Sequence, residues 1–231
     1  MSSQTKNILE KITPEIQKDM ETFWFTADLH HGHPKIIDIC NRPIYLDQKI
    51  MDELKRTNIN NSKYNVYDDK EYKRLINPLH NEWLVKEVIN KWISKKNTIF
   101  FIGDLSLAKR VEAEKFIDRL NGNKFLIVGN HDKNLWNSTR FSQITLRKDF
   151  TYSRFGINIH IVLDHFPLAS WNRKIYGSWH LYGHVHGRFK NNGLSFDVGI
   201  DNSELLTITG GIHRPLNLFE IVKIMEGKEN K

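Results

Sequence analysis

One cysteine, Cys40, in 231 residues excludes an internal disulfide framework and fits a reducing compartment. No stretch is apolar for long enough to cross a bilayer. The N-terminus lacks the basic start, apolar middle and small-residue cleavage site of a secretory signal. A cytoplasmic location without a membrane partner is the expectation. Internal repeats and low-complexity linkers are missing as well, and 39% hydrophobic content suffices for a sizeable core, so residues 1–231 are expected to form one domain. An acidic excess is also absent. The formal net charge is +7 and the pI about 9.3, which favours anionic substrates through long-range steering, although a lysine-rich surface explains the charge equally well. The basic residues, among them Lys109, Arg110, Arg147, Lys148, Arg173 and Lys174, are scattered, and no nucleic-acid-binding motif accompanies them. Phosphorylated small molecules and nucleic acid both stand as substrate classes, and no protein partner is expected.

What the chain does have is a series of short apolar runs that each end on a residue able to bind a metal. Phe23 to Ala27 runs into Asp28-Leu29-His30, Thr98 to Ile102 into Gly103-Asp104, and Lys124 to Val128 into Gly129-Asn130-His131-Asp132. Ile157 to Leu163 runs into Asp164-His165, and Ser178 to Tyr182 into Gly183-His184-Val185-His186-Gly187. Runs rich in aromatic and β-branched residues read as buried strands, and strand ends in an open α/β sheet face one crevice. Two carboxylates, one carboxamide and four imidazoles would meet there. Seven ligands exceed what one ion with an open position takes, and they suit two ions sharing a carboxylate. Oxygen and imidazole donors without thiolates suit manganese, iron, zinc or nickel.

In this order the motifs Asp-x-His, Gly-Asp, Gly-Asn-His-Asp, a lone His and Gly-His-x-His resemble the five signatures of the calcineurin-like metallophosphoesterase superfamily, over residues 23–200. The resemblance implies that Asp28, His30 and His186 hold a first divalent ion, that Asn130, His165 and His184 hold a second, and that Asp104 bridges them. Manganese is the first expectation for the metal. The resemblance further implies a metal-bridging hydroxide as nucleophile, with His131 contacting the phosphate and protonating the leaving oxygen. Asp132 would orient His131 and support its protonated form.

Around these motifs lie residues with two readings each. His33 matches the His-rich continuation of small bacterial and phage members and either lines the pocket as a substrate-binding residue or orients the loop and points to solvent; His31 has the weaker claim on the pocket. Arg42, in Asn41-Arg42-Pro43, could fork two donors onto a phosphate, or it could tie down the loop through a backbone or carboxylate contact. His80, His160, His180 and His213 lie outside the motifs and read as core histidines. Asp164 should point away from His165, and Asp197 and Asp201 have no partner motif.

The expected fold class is α/β, a four-layer sandwich of two mixed β-sheets flanked by helices, which the resemblance also implies. Residues 1–21 read as a docked or mobile extension and 47–55 as a helix. Residues 56–77 read as an insertion, either a surface loop or a flap carrying Tyr64, Tyr67 and Tyr72. Helices are expected from Leu79 to Trp92, around Val111 to Leu120, and from Pro215 to Met225. Strands are expected at 144–151, 157–163, 180–182 and 194–198.

Serine/threonine protein phosphatases continue Gly-Asp with Asp-Arg-Gly and carry Glu after Gly-Asn-His, whereas this chain has Gly103-Asp104-Leu105-Ser106 and Asp132. Phosphodiester hydrolysis of a nucleotide, cyclic nucleotide or short nucleic acid is therefore favoured. The alternatives are a phosphomonoesterase acting on nucleotides or phosphoproteins, and a non-catalytic metal-binding scaffold.

Overall fold

The computed structural model describes residues 8–33, 35–44, 52, 70–189 and 192–228, with Lys70 to Lys73 described in backbone only. Two mixed sheets face each other. The first runs in the order β4-β3-β2-β1-β9, from β1 (Phe23–Thr26), β2 (Thr98–Ile102), β3 (Asn123–Ile127), β4 (Gln143–Thr145) and β9 (Leu216–Asn217). Its four sequential strands are parallel and β9 returns antiparallel to β1. The second sheet, β5-β6-β7-β8, comprises β5 (Arg147–Arg154), β6 (Ile157–Asp164), β7 (Trp179–Tyr182) and β8 (Ser195–Asp197). Here β5 and β6 are antiparallel, and β6, β7 and β8 are parallel.

Side-chain alternation along each strand separates two cores. Phe25, Phe100, Ile102 and Ile127 point between the sheets and meet Ile159, Ile161, Leu163, Trp179 and Leu181 from the second sheet. Phe25 stacks on Phe100 at 5.2 Å, and Phe150 of β5 reaches Phe100 at 5.1 Å. The alternate residues Trp24, Ile99, Phe101 and Leu126 face outward against helices. Those helices are α3 (Lys70–Trp83), which continues as a π-helical turn over Leu84–Ile89, and α4 (Arg110–Asp118). Two shorter helices, α1 (Pro14–Met20) and α2 (Lys35–Ile39), precede them; α5 (Ser203–Ile208) and α6 (Leu218–Glu226) follow. The outer face of the second sheet is covered by the 166–178 segment, where Trp171 packs on the buried His180 ring at 5.2 Å.

Several local expectations change. The strand expected at 144–151 is two strands in different sheets, because Leu146, 65% exposed, carries the chain across from one to the other. The helix expected from Leu79 starts at Lys70, within the 56–77 stretch, with Pro78 inside it and Ile76 buried. Val111 points to solvent, and Ala113, Phe116, Ile117 and Leu120 form the buried face around α4. Pro215 precedes strand β9, and α6 begins at Leu218 behind an Asn217–Glu220 capping box.

The described part of the N-terminal extension is docked. Ile16 and Met20 of α1 enter the inter-sheet core, and Tyr152 Oη donates to Asp19 Oδ2 at 2.8 Å. Residues 56–69 lie outside the described residues, as do the side chains of Tyr64, Tyr67 and Tyr72 and the expected 47–55 helix apart from Asp52. Among the described residues no helix is long and apolar enough to cross a membrane.

Candidate metal centre

The carboxyl ends of β1, β2, β3, β6 and β7 meet at one edge of the sandwich. A parallel bridge between Ala27 and Gly199 stitches the two sheets together there, and one between His31 and Ser106 joins the loops after β1 and β2. Asp28 and His30 follow β1, Asp104 follows β2, Asn130 and His131 follow β3, His165 follows β6, and His184 and His186 follow β7.

Of the eight described non-glycine residues with positive φ, five are Asp28 (60°), His30 (52°), Asp104 (50°), His184 (72°) and His186 (48°). Left-handed backbone costs a side chain on the order of 1–3 kcal/mol and tends to concentrate at functional sites. Each turn swings its side chain off the strand and into the crevice.

Two clusters result. In the first, Asp28, His30 and His186 converge, with His30 Nε2 4.0 Å from Asp28 Oδ1 and 3.2 Å from His186 Nε2. In the second, Asp104, His165 and His184 converge, and Asn130 Oδ1 lies 3.1 Å from His165 Nε2. Asp104 reaches both: its Oδ2 is 3.8 Å from His30 Nε2 and its Oδ1 is 3.4 Å from His165 Nε2.

The backbone also holds these carboxylates. His184 N–H donates to Asp28 at 2.9 Å, and His131 N–H donates to Asp104 Oδ1 at 3.0 Å. His165 Nδ1 is 3.0 Å from the Ile102 carbonyl, which leaves Nε2 for the crevice.

The residues fit cations. Two imidazole Nε2 atoms 3.2 Å apart cannot both carry protons, and His186 Nδ1 already engages Asp201 Oδ2 at 3.0 Å. Burial, and then the neighbouring His186, push His30 down to about 2, so it is neutral and ready to donate a lone pair. Burial raises the Asp28 carboxyl to about 7, against the lowering charges of His186 and His165. Burial is the largest influence on His186 and works against its charged form, but the Asp201 and Cys40 hydrogen bonds and the charges of Asp28 and Asp201 together overcome it and raise the group to about 10. Burial opposes the charged form of His165 as well, and the Asp104 hydrogen bond, the Asp28 and Asp104 charges and the Ile102 carbonyl together raise it to about 9. A divalent ion in either cluster would stabilise the ionised carboxylates and displace those protons.

The remaining candidates fall into different places. His131 is exposed, with Nε2 3.9 Å from Asp104 Oδ2, open to a ligand and to solvent. His33 is half-buried beside it, its ring 5.7 Å from that of His30. Asp132 is fully buried and does not serve the His131 ring. Its Oδ1 accepts from Leu105 N at 2.8 Å and Ser106 N at 3.2 Å, and its Oδ2 from Gly129 N at 2.9 Å, tying the β2 and β3 loops together.

Arg42 is likewise buried. Nε and Nη2 grip Asp201 at 2.9 and 2.7 Å, and Nη1 and Nη2 reach the carbonyls of Leu29 and Asp28 at 2.7 Å. With Nη1 also 2.8 Å from His80 Nε2, the expected phosphate fork gives way to the loop-tying reading. His31 bonds Ser106 Oγ and stacks on Phe116; Asp164 pairs with Arg147. Asp201 and Cys40, whose Sγ is 3.5 Å from His186 Nδ1, join the site without any motif that could have announced them.

The chain belongs to the calcineurin-like phosphoesterase family, whose model matches residues 21–224. It is thus a metal-dependent phosphoester hydrolase. Among curated proteins it is similar to the uncharacterized protein MJ1445 of Methanocaldococcus jannaschii, at 24% identity across 90% of this chain and 93% of that one. It is also similar to the Gene 66 protein of Mycobacterium phage D29, at 22% identity across 79% and 89%. Among solved structures, the protein of unknown function AQ665 from Aquifex aeolicus shares the fold, with a TM-score of 0.51 and 18% identity over 87% of this chain and 98% of that one.

Proposed function

We propose that the protein is a dinuclear phosphodiesterase acting in the cytoplasm on a nucleotide, cyclic nucleotide or short nucleic acid. Asp28, His30 and His186 hold one ion, Asn130, His165 and His184 hold the other, and Asp104 is shared, with manganese the first choice of metal. The observation that carries this reading is the position of Asp104, whose two carboxylate oxygens each face a different nitrogen-rich cluster.

Divalent ions held by these residues would supply an acidified water for attack and positive charge for the phosphoryl oxygens. The chain's own groups do the rest. Asp28 and Asp104 balance the cation charge, each fixed by a backbone N–H donor. The neutral His30 offers a lone pair without a proton to shed. His131, exposed beside Asp104, delivers a proton from Nε2 to the leaving ester oxygen and recovers it from solvent.

Arg42 supports the diester preference. Its guanidinium is committed to buried partners and adds no positive charge for a phosphate, which suits a singly charged diester better than a dianionic monoester. Metal analysis, combined with hydrolysis of a chromogenic diester and its monoester with and without manganese, tests the reading. About two ions per chain and faster diester turnover are expected. Preference for the monoester would assign a phosphomonoesterase, and metal without turnover of either would leave a scaffold.

A further inference from the structure

The segment Asn41-Arg42-Pro43 ends α2 in a defined way. Asn41 adopts φ 50°, and Arg42 N–H donates to the Ile37 carbonyl at 2.9 Å, five residues back. This is the Schellman arrangement, in which a left-handed residue after the helix reverses the chain. Pro43 then prevents the helix from resuming. The reversal sends the Arg42 side chain inward, where it is fully buried.

The partners it finds there belong to two different ligand-bearing segments. Nη2 and Nη1 hold the carbonyls of Asp28 and Leu29, the two peptide units that flank Leu29 inside the Asp28-Leu29-His30 turn, where Asp28 and His30 are left-handed. Nε and Nη2 form a two-pronged pair with Asp201, and Asp201 Oδ2 engages His186 Nδ1 at 3.0 Å. One planar group therefore fixes the backbone that carries Asp28 and His30 and, through Asp201, the ring of His186. Those are the three residues of the first cluster. None of the four second-cluster residues, Asp104, Asn130, His165 and His184, touches Arg42 or Asp201 in the described contacts.

We propose that Arg42 and Asp201 are positioning residues that preorganise the first metal site selectively, leaving the second to assemble without them. A guanidinium is required because only a rigid fork can serve a carboxylate and two carbonyls at once, which an ammonium cannot do. This inference rests on the dinuclear reading of the site, and its test separates the two.

The experiment measures manganese binding by equilibrium dialysis with metal analysis on the full chain, wild type against Arg42→Lys. The variant keeps the charge and loses the fork. The expected result is a loss of affinity of about tenfold or more at one site, the scale seen when a group behind a metal ligand is removed, with the other site within about twofold of wild type. Equal affinities in variant and wild type, or equal weakening of both sites in a folded variant, would overturn the proposal. General destabilisation lowers melting temperature without favouring one ion, so the split between sites marks positioning.

If Arg42→Lys does not fold, Asp201→Asn gives the same reading, since it keeps shape while weakening the link to His186. Should wild type bind fewer than two ions, the dinuclear reading fails. The positioning role is then read from amide hydrogen exchange of Asp28 and His30 in metal-free protein. Faster exchange in the variant upholds that role, and unchanged exchange rejects it.

Discussion

Gly129 has no room for a side chain: a Cβ there would lie 2.3 Å from the Asp104 nitrogen and 2.4 Å from its Oδ1. Backbone cannot yield as a flexible side chain would, so Gly129→Ala should cost roughly 1–3 kcal/mol and displace the shared carboxylate. Urea denaturation and metal analysis check both effects. His131 predicts the opposite balance. His131→Ala should keep both ions and fold normally yet lose at least roughly a hundredfold in turnover on esters with poor leaving groups, and much less on nitrophenyl esters, which leave without a proton. Equal loss on both kinds of ester would remove the acid role.

Titration of single groups gives a third test. In metal-free protein His165 and His186 titrate at about 9 and about 10, against 6.5 for an ordinary histidine. Between those values the folded state holds more protons than the unfolded one. The contribution of these two groups to stability is therefore fullest below about 6.5 and is lost as pH rises toward about 10. Cations expel the same protons, so the melting-temperature gap between manganese-loaded and chelated protein should widen from pH 6.5 to 9. A constant gap would contradict the assignment.

At the scale of elements, α6 depends on its start. Asn217 accepts from Glu220 N at 3.0 Å, and Glu220 Oε2 accepts from Asn217 N at 2.9 Å. Asn217→Ala should cost about 1 kcal/mol, read as a lower urea midpoint at unchanged slope. The sequence misplaces this start because Pro215 reads as a helical first residue, whereas its neighbours extend to pair with β1. The five strands that deliver site residues are legible, since each is a short, largely apolar run with a metal-binding residue just beyond its end. Periodicity cannot show that one expected strand crosses between sheets at Leu146, nor that the Asp132 oxygens serve backbone donors and not a neighbouring ring. Those facts depend on residues brought together from distant parts of the chain. Asp201 is the clearest case, being 159 residues from Arg42 and adjacent to it in space.

At the scale of the molecule, the N-terminal segment is part of the core. Deleting residues through Glu21 removes Ile16 and Met20 from between the sheets and Asp19 from Tyr152. Loss of the two apolar side chains alone is worth roughly 3–6 kcal/mol, a fall in melting temperature on the order of 10 °C. No proposed ligand lies in that segment, so metal stoichiometry should be unchanged in whatever fraction stays folded.

The crossover at Leu146 divides the chain so that strands β1 to β4 precede it and β5 to β9 follow, β9 returning to the first sheet. Asp28, His30, Asp104 and Asn130 belong to the earlier part, and His165, His184 and His186 to the later. Each proposed ion thus draws ligands from both parts, as a rivet passes through two plates. A chain cut at Leu146 would hold neither ion in either fragment, and adding manganese would pull the fragments together, making catalysis a reporter of reassembly.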